Sequence, residues 1–132
     1  GITEAIIAEL RKGEVDFVCL NFANPDMVGH TGVPEAIIKA CETIDQCLQQ
    51  VVEAGQEKGY SFVVIADHGN ADFAINEDGS PNTAHSLNTV PCMVYCNEVT
   101  NLKEEGRLSN IAPTILKMMH IEIPEIMDEP LY

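Results

Sequence analysis

The stretch SFVVIADHGN, residues 61–70, is an apolar run that stops abruptly at Asp67, His68 and Gly69. A short run of this kind, rich in Val and Ile, is typical of a strand that is buried on both faces of a sheet. Two polar side chains directly after such a strand are costly unless something satisfies them. A metal ion would satisfy Asp67 and His68, and an ordinary polar turn is the alternative.

Apolar strands and amphipathic helices alternate on both sides of this stretch. Further strands are predicted at 15–22 and 90–96. Helices are predicted at 2–12, from Pro34 to about Gly55–Gly59, and from Ser109 or Asn110 to about Met119. Such alternation indicates an α/β layered fold with a largely parallel sheet. The segment EDGSPN, residues 77–82, predicts a hairpin tip, and the proline-containing tail is predicted to wrap the surface.

Size and charge restrict the function classes. The chain has 132 residues, which corresponds to one domain, and 21 acidic against 7 basic residues give a net charge of −14. Such an acidic surface repels nucleic-acid phosphates and anionic lipid, so neither is expected as a partner. No apolar run is long enough for a membrane span, and no secretory signal is predicted. A start without Met suggests a piece of a longer protein.

The five cysteines are odd in number and form no CxxC pair. They are predicted to be small buried hydrophobes in a reducing compartment, so a cytoplasmic location is expected. A metal-binding pair at Cys92 and Cys96 is the weaker alternative.

Three polar loops follow or precede the predicted strands. The first holds Asp26 and His30, four residues apart, which can chelate one divalent ion, although a capping Asp with a surface His also fits. The second holds Asp67 and His68, and the third holds His85, which alone also fits a surface or capping role. Ligands bind where the carboxyl ends of strands converge, so we expect one shared site rather than three coincidences.

The five side chains offer oxygen and nitrogen ligands without thiolate, which favours Mn²⁺ first, then Mg²⁺, Zn²⁺ or Co²⁺. Five ligands exceed the usual number for one catalytic ion and therefore suggest two ions. A pair of ions is a standard clamp for phosphoryl transfer, and it would hold an anionic phosphate on this acidic chain. The fourth histidine, His120, follows the last helix and is interpreted as structural.

Four segments resemble consecutive motifs of the cofactor-independent phosphoglycerate mutases of the alkaline phosphatase superfamily. They are DFVCLNFANPDMVGHTG (16–32), VVIADHGNAD (63–72), AHSLNTVP (84–91) and IAPTIL (111–116). The resemblance covers nearly the whole chain. It implies a metal-dependent isomerase of glycolysis that interconverts 2- and 3-phosphoglycerate through a phosphoserine, and an alkaline-phosphatase-like three-layer α/β/α sandwich.

The resemblance also implies roles for individual residues. Asp26, His30 and His85 match the ligands of one metal ion, and Asp67 and His68 match two ligands of the other. Residues 1–132 correspond to the C-terminal part of the phosphatase-like catalytic domain. The nucleophilic serine, the remaining metal ligands and the inserted phosphotransferase domain precede this stretch in the family, so no catalytic nucleophile is expected here.

The missing segments affect the activity and the association expected of the isolated chain. The isolated chain is expected to be inactive and to self-associate through an exposed sheet edge, whereas the full-length enzyme is expected to be monomeric. Another enzyme of the superfamily, such as a phosphopentomutase, phosphatase or sulfatase, is one alternative. A metal-binding module without catalysis is the other.

Overall fold

The computed structural model describes all residues from Gly1 to Tyr132 and contains four α-helices, two β-strands and two 3₁₀ turns. The helices are α1 (Ile2–Lys12), α2 (Asn24–Gly29), α3 (Pro34–Gln56) and α4 (Ile111–Met118). The strands are β1 (Phe62–Ile65) and β2 (Cys92–Tyr95), and the 3₁₀ turns are Ala71–Phe73 and Leu108–Asn110. The α/β class is confirmed, and the three predicted helices correspond to α1, α3 and α4.

The chain divides into two compact units. The first unit comprises Gly1–Tyr60 and His68–Val90, and the second comprises Ser61–Asp67 and Pro91–Tyr132. None of the helices combines the length and the apolar character that a bilayer crossing requires.

The first unit is built on α3, against which α1 and α2 both pack. Pro34 begins α3 at a position where a missing N–H is harmless, and Gly13 ends α1 in the left-handed conformation at φ 69°. The buried apolar residues of this unit lie on α1 and α3: Leu10, Ile37, Ala40, Val51 and Ala54. The helix-spaced apolar pattern of α3 therefore faces its neighbours as predicted, and one of these neighbours, α2, carries Asp26.

The second unit contains the sheet, whose two strands pair antiparallel from Phe62 opposite Tyr95 to Ile65 opposite Cys92. The predicted parallel sheet and three-layer sandwich are therefore not confirmed. The connection between the strands carries only one 3₁₀ turn, whereas parallel strands usually need a helical crossover. The predicted hairpin tip is present in the first unit as a turn closed by an antiparallel bridge between Ile75 and Pro81.

The predicted strand at 15–22 is absent, because no segment of the chain offers it a ladder partner. The segment is contacted by Tyr60, which lies beyond the end of α3 and whose hydroxyl donates to the Val15 carbonyl at 2.6 Å. Phe17 remains 55% exposed. The prediction that the cysteines are buried is also wrong, since Cys19, Cys41 and Cys92 are exposed and the other two are half-buried.

The tail of the second unit is fastened to α4 through Thr114, which is fully buried. The Thr114 hydroxyl donates to the Asn110 carbonyl at 2.6 Å and accepts the Leu131 N–H at 2.8 Å. Leu131 is buried, and its carbonyl accepts the Lys103 N–H at 2.8 Å. The tail therefore forms a specific hydrogen-bonded strap.

Replacing Thr114 with valine is expected to destabilise the chain by about 1–3 kcal/mol, because it leaves the buried Leu131 N–H without its acceptor. Thr43→Val is the matched control: the Thr43 hydroxyl also donates to the carbonyl four residues earlier, at 2.7 Å, but on the exposed face of α3. Urea unfolding of both variants measures the difference. Equal shifts of the two midpoints would show that the strap contributes nothing.

Candidate metal centre

The first part of the site is α2, a short helix that carries Asp26 in its first turn and is followed directly by His30. Residues four apart lie on the same face of a helix, so the two side chains meet. The distance from Asp26 Oδ1 to His30 Nε2 is 3.2 Å. The spacing of Asp26 and His30 in sequence is therefore sufficient to bring these two candidate ligands together.

Two further histidines of the same unit approach the same carboxylate oxygen. His85 Nε2 lies 3.1 Å from Asp26 Oδ1, and His68 Nε2 lies 3.8 Å from it. The rings of His68 and His85 stack with centroids 3.6 Å apart and an interplanar angle of 13°. Asp26 is therefore the central residue of a four-residue cluster drawn from three loops.

Two hydrogen bonds orient the cluster from outside. His30 Nδ1 lies 2.7 Å from the carbonyl oxygen of Thr83, which can only accept, so Nδ1 carries the proton. In a neutral His30 the lone pair of Nε2 then faces Asp26. The buried Asn70 donates from Nδ2 to Asp26 Oδ1 at 2.8 Å and holds the carboxylate in place. Partners of this kind fix the orientation of metal ligands.

The electrostatics of the cluster favour an ionised Asp26. Desolvation raises the pKa of Asp26, but the Asn70 hydrogen bond and the nearby histidine charges together outweigh it, and the pKa is lowered from its ordinary value. A carboxylate oxygen and an imidazole lone pair that face one another repel unless a proton or a cation lies between them.

The donor set fits a divalent cation. One carboxylate oxygen and two imidazole nitrogens, from Asp26, His30 and His85, all lie within 4.8 Å of one another. Such oxygen and nitrogen donors suit Mn²⁺, Co²⁺ and Zn²⁺. All three side chains are partly open to solvent, which leaves room for a further ligand from outside the chain.

The structure brings together four of the five predicted site residues to different degrees. Asp26, His30 and His85 form the compact triad, and His68 lies beside it through its stacked ring. Asp67 belongs to the second unit and is not a member of the triad. His120 lies in the second unit, where its Nε2 is 3.4 Å from a carboxylate oxygen of Glu98, and its structural role stays a prediction.

The sequence interpretation missed the residues that support the triad. Asn70 ends the ADHGN motif, and its position beside two candidate ligands was a usable signal. Thr83 acts through its backbone carbonyl, which no side-chain pattern reveals. Gly29 admits the Asn70 side chain, because a Cβ at Gly29 would lie only 2.6 Å from Asn70 Cγ.

The profile of the metalloenzyme superfamily matches residues 1–123. The chain belongs to the metalloenzyme superfamily. Membership in the metalloenzyme superfamily and the triad together indicate the use of a divalent metal ion. The α/β class is consistent with this assignment.

Individual relatives are similar along almost the entire chain. The 2,3-bisphosphoglycerate-independent phosphoglycerate mutase of Flavobacterium johnsoniae is 53% identical over 126 residues, which cover 96% of this chain and 25% of the relative. The proteins of the same name from Bacteroides thetaiotaomicron and Salinibacter ruber are 49% and 45% identical, each over 96% of this chain and over 25% and 24% of their own lengths. The chain spans about a quarter of the length of the curated relatives it matches.

Proposed function

We propose that this chain is the C-terminal part of the catalytic domain of a phosphoglycerate mutase that interconverts 2- and 3-phosphoglycerate. The observation that carries the proposal is the 45–53% identity to proteins of that name over 96% of the chain. The donor cluster of Asp26, His30 and His85 supports it, because it supplies the divalent metal chemistry that the activity requires. In that role the protein is an isomerase of glycolysis, located in the cytoplasm.

In this proposal Asp26, His30 and His85 hold one ion, and Asp67 with His68 supplies part of the ligand set of a second. Mn²⁺ is the preferred ion, with Mg²⁺, Co²⁺ and Zn²⁺ as the other candidates. A bound divalent ion supplies positive charge to the oxygens of a phosphoryl group in transfer. The chain itself has a net charge of −14, and the substrate is an anion. Bound cations would therefore supply the positive charge that holds the substrate.

The residues of this chain perform positioning tasks. The Thr83 carbonyl keeps the proton of His30 on Nδ1 and leaves Nε2 available as a ligand, while Asn70 orients the Asp26 carboxylate. Two serines near this region are engaged elsewhere: Ser86 Oγ donates to Asp72, and Ser80 Oγ donates to Asp78. These contacts support the proposal that the serine that takes up the phosphate lies outside residues 1–132.

The lack of a strand partner for residues 15–22 and the exposed sheet residues support a partial domain. Ile65, Met93 and Tyr95 are each at least 40% exposed although they lie on strands. In the full-length protein we propose that further strands complete a three-layer α/β/α sandwich with a mostly parallel sheet and a monomeric state. The isolated chain is proposed to self-associate through these surfaces.

The proposal is tested by phosphoglycerate mutase assays on the full-length protein that carries this chain. Conversion of 3-phosphoglycerate is expected to stop after chelation and to return with Mn²⁺, whereas the 132-residue chain alone shows no turnover. His85→Asn is expected to lower kcat by at least about 100-fold, since loss of an outer-shell partner alone costs roughly 10- to 100-fold.

The control for this assay is His120→Asn, which removes the histidine outside the cluster. His120 has a φ of 55°, and asparagine tolerates this left-handed conformation, so the backbone is preserved. Equal activity of the two histidine variants would contradict the assignment of His85. Turnover of a sulfate ester or a phosphopentose in place of phosphoglycerate would favour another enzyme of the superfamily. No turnover of any phosphate or sulfate ester would favour a metal-binding module.

A further inference from the structure

Asp72 lies in the first unit, within the 3₁₀ turn that follows the ADHGN motif, and its side-chain hydrogen bonds go to residues that are not candidate metal ligands. Its Oδ2 accepts a hydrogen bond from Ser86 Oγ at 2.8 Å and one from Asn88 Nδ2 at 2.6 Å. These two donors hold the pKa of Asp72 below its ordinary value, so the carboxylate stays ionised near neutral pH. Asp72 thereby ties its own turn to a second loop, in which Ser86 and Asn88 lie 14 and 16 residues further along the chain.

The two hydrogen bonds from Ser86 and Asn88 to Asp72 are called the clamp below, and a backbone contact reinforces them. Gly69 and Ser86 form an isolated antiparallel bridge in which the Ser86 N–H donates to the Gly69 carbonyl at 2.8 Å. A Cβ at Gly69 would collide with Ser86 Oγ and would lie 2.7 Å from Asp72 Oδ1. The two loops therefore approach as closely as a glycine backbone permits, and the Asp72 carboxylate lies against the point of contact.

The clamp acts directly beside two histidines. His68 precedes Gly69 and His85 precedes Ser86, so the clamped residues are the immediate neighbours of the two stacked rings. A shift of the 85–88 loop would move His85 Nε2 away from Asp26 Oδ1, which lies 3.1 Å from it. The position of His85 relative to His68 and Asp26 thus depends on how the two loops are joined.

We propose that Asp72 is a positioning residue of the metal centre, which sets the location of the His85 ring by clamping Ser86 and Asn88. The inference rests on the proposed role of the triad as a metal site, and it assigns a function to a carboxylate that holds no metal itself. Loss of the clamp lowers metal affinity because the third ligand is no longer held where the other two converge.

The decisive variant is Asp72→Asn, which keeps the shape of the side chain but removes the charge and one acceptor oxygen. Asp78→Asn is a matched control, since Asp78 accepts analogous bonds from the Ser80 N–H and hydroxyl, at 2.9 and 2.6 Å, in an exposed turn that contributes nothing to the triad. Ser86→Ala removes one donor of the clamp, and Ser86→Thr restores the hydroxyl. These pairs separate the clamp from general effects of charge and folding.

Two readouts are measured on the 132-residue chain. Calorimetric titration with Mn²⁺ is expected to show an affinity at least about 10-fold weaker for Asp72→Asn and Ser86→Ala, and an unchanged affinity for Asp78→Asn and Ser86→Thr. In the metal-free chain, NMR records the ring protons of His68 and His85, which shield one another when the rings stack. This mutual shielding is expected to disappear in Asp72→Asn and to persist in Asp78→Asn.

The outcomes distinguish this inference from the proposed function. Unchanged Mn²⁺ affinity and unchanged ring shielding in Asp72→Asn would overturn the clamp and leave the metal centre standing. Loss of shielding in Asp72→Asn, in a chain whose unsubstituted form binds no Mn²⁺, would overturn metal binding by residues 1–132 alone while supporting control of His85 by Asp72. Equal weakening in Asp72→Asn and Asp78→Asn would overturn the clamp, because the effect would then be one of net charge.

Discussion

Replacing Asp26 with alanine is expected to abolish the binding of Mn²⁺ to this chain. A single oxygen of Asp26 lies within 3.8 Å of the Nε2 atoms of all three clustered histidines. No other carboxylate takes part in the triad. Removal of this residue leaves only imidazole donors, so the loss exceeds the roughly 10- to 100-fold that an outer-shell substitution costs.

Calorimetric titration of the metal-free chain measures this effect. One equivalent of Mn²⁺ is expected for the unsubstituted chain, and no measurable binding for Asp26→Ala. Asp45→Ala is the control, because it removes the same charge from an exposed position of α3. Binding that survives in Asp26→Ala would exclude the triad as the metal site. Absence of binding in the unsubstituted chain would mean that the loops require residues from outside it.

Replacing Gly29 with alanine is expected to disrupt the site and to destabilise the first unit. The new Cβ would collide with Asn70 Oδ1 and would lie 2.6 Å from Asn70 Cγ. Asn70 is only 6% exposed and donates to Asp26, so its displacement leaves a buried amide unsatisfied. The expected loss in the free energy of unfolding is about 1–3 kcal/mol. In an ordinary helix interior, replacing glycine with alanine would stabilise the protein by about 1 kcal/mol. The change in the free energy of unfolding expected for Gly29→Ala therefore has the opposite sign.

A double-mutant cycle with Asn70→Ala tests this explanation. If the collision causes the loss, Gly29→Ala costs much less in a chain that already carries Asn70→Ala, because the colliding atoms are gone. Urea unfolding of the four chains measures the coupling free energy between the two positions. Additive effects would show that Gly29 matters for a reason other than its contact with Asn70.

Local patterns were sufficient to predict most helices and both observed strands. The 3.6-residue periodicity of α1 and α3 reflects contacts that each helix makes along one face, and Pro34 and Gly13 set ends that depend only on backbone chemistry. The meeting of Asp26 with His30 follows from their spacing of four residues across the end of one short helix. These features depend on neighbours in sequence, so the sequence contains them directly.

Strand pairing could not be predicted in the same way. Residues 15–22 have the composition of a strand, but a strand exists only where another segment accepts its hydrogen bonds, and none does here. The antiparallel pairing of β1 with β2 likewise depends on how the connection between them folds. The burial predicted for the cysteines failed for the same reason, since burial requires a second surface.

The amino-acid pattern thus determined which side chains could bind a metal, whereas the tertiary structure decided which of them share one site. His85 reaches Asp26 across 59 residues of chain, and the Thr83 carbonyl reaches His30 across 53. The clamp of Asp72 and the fit of Asn70 against Gly29 are contacts of the same long-range kind. Ligand chemistry is a property of single residues, but convergence of ligands requires loops distant in sequence to be held together, and only the folded chain provides this.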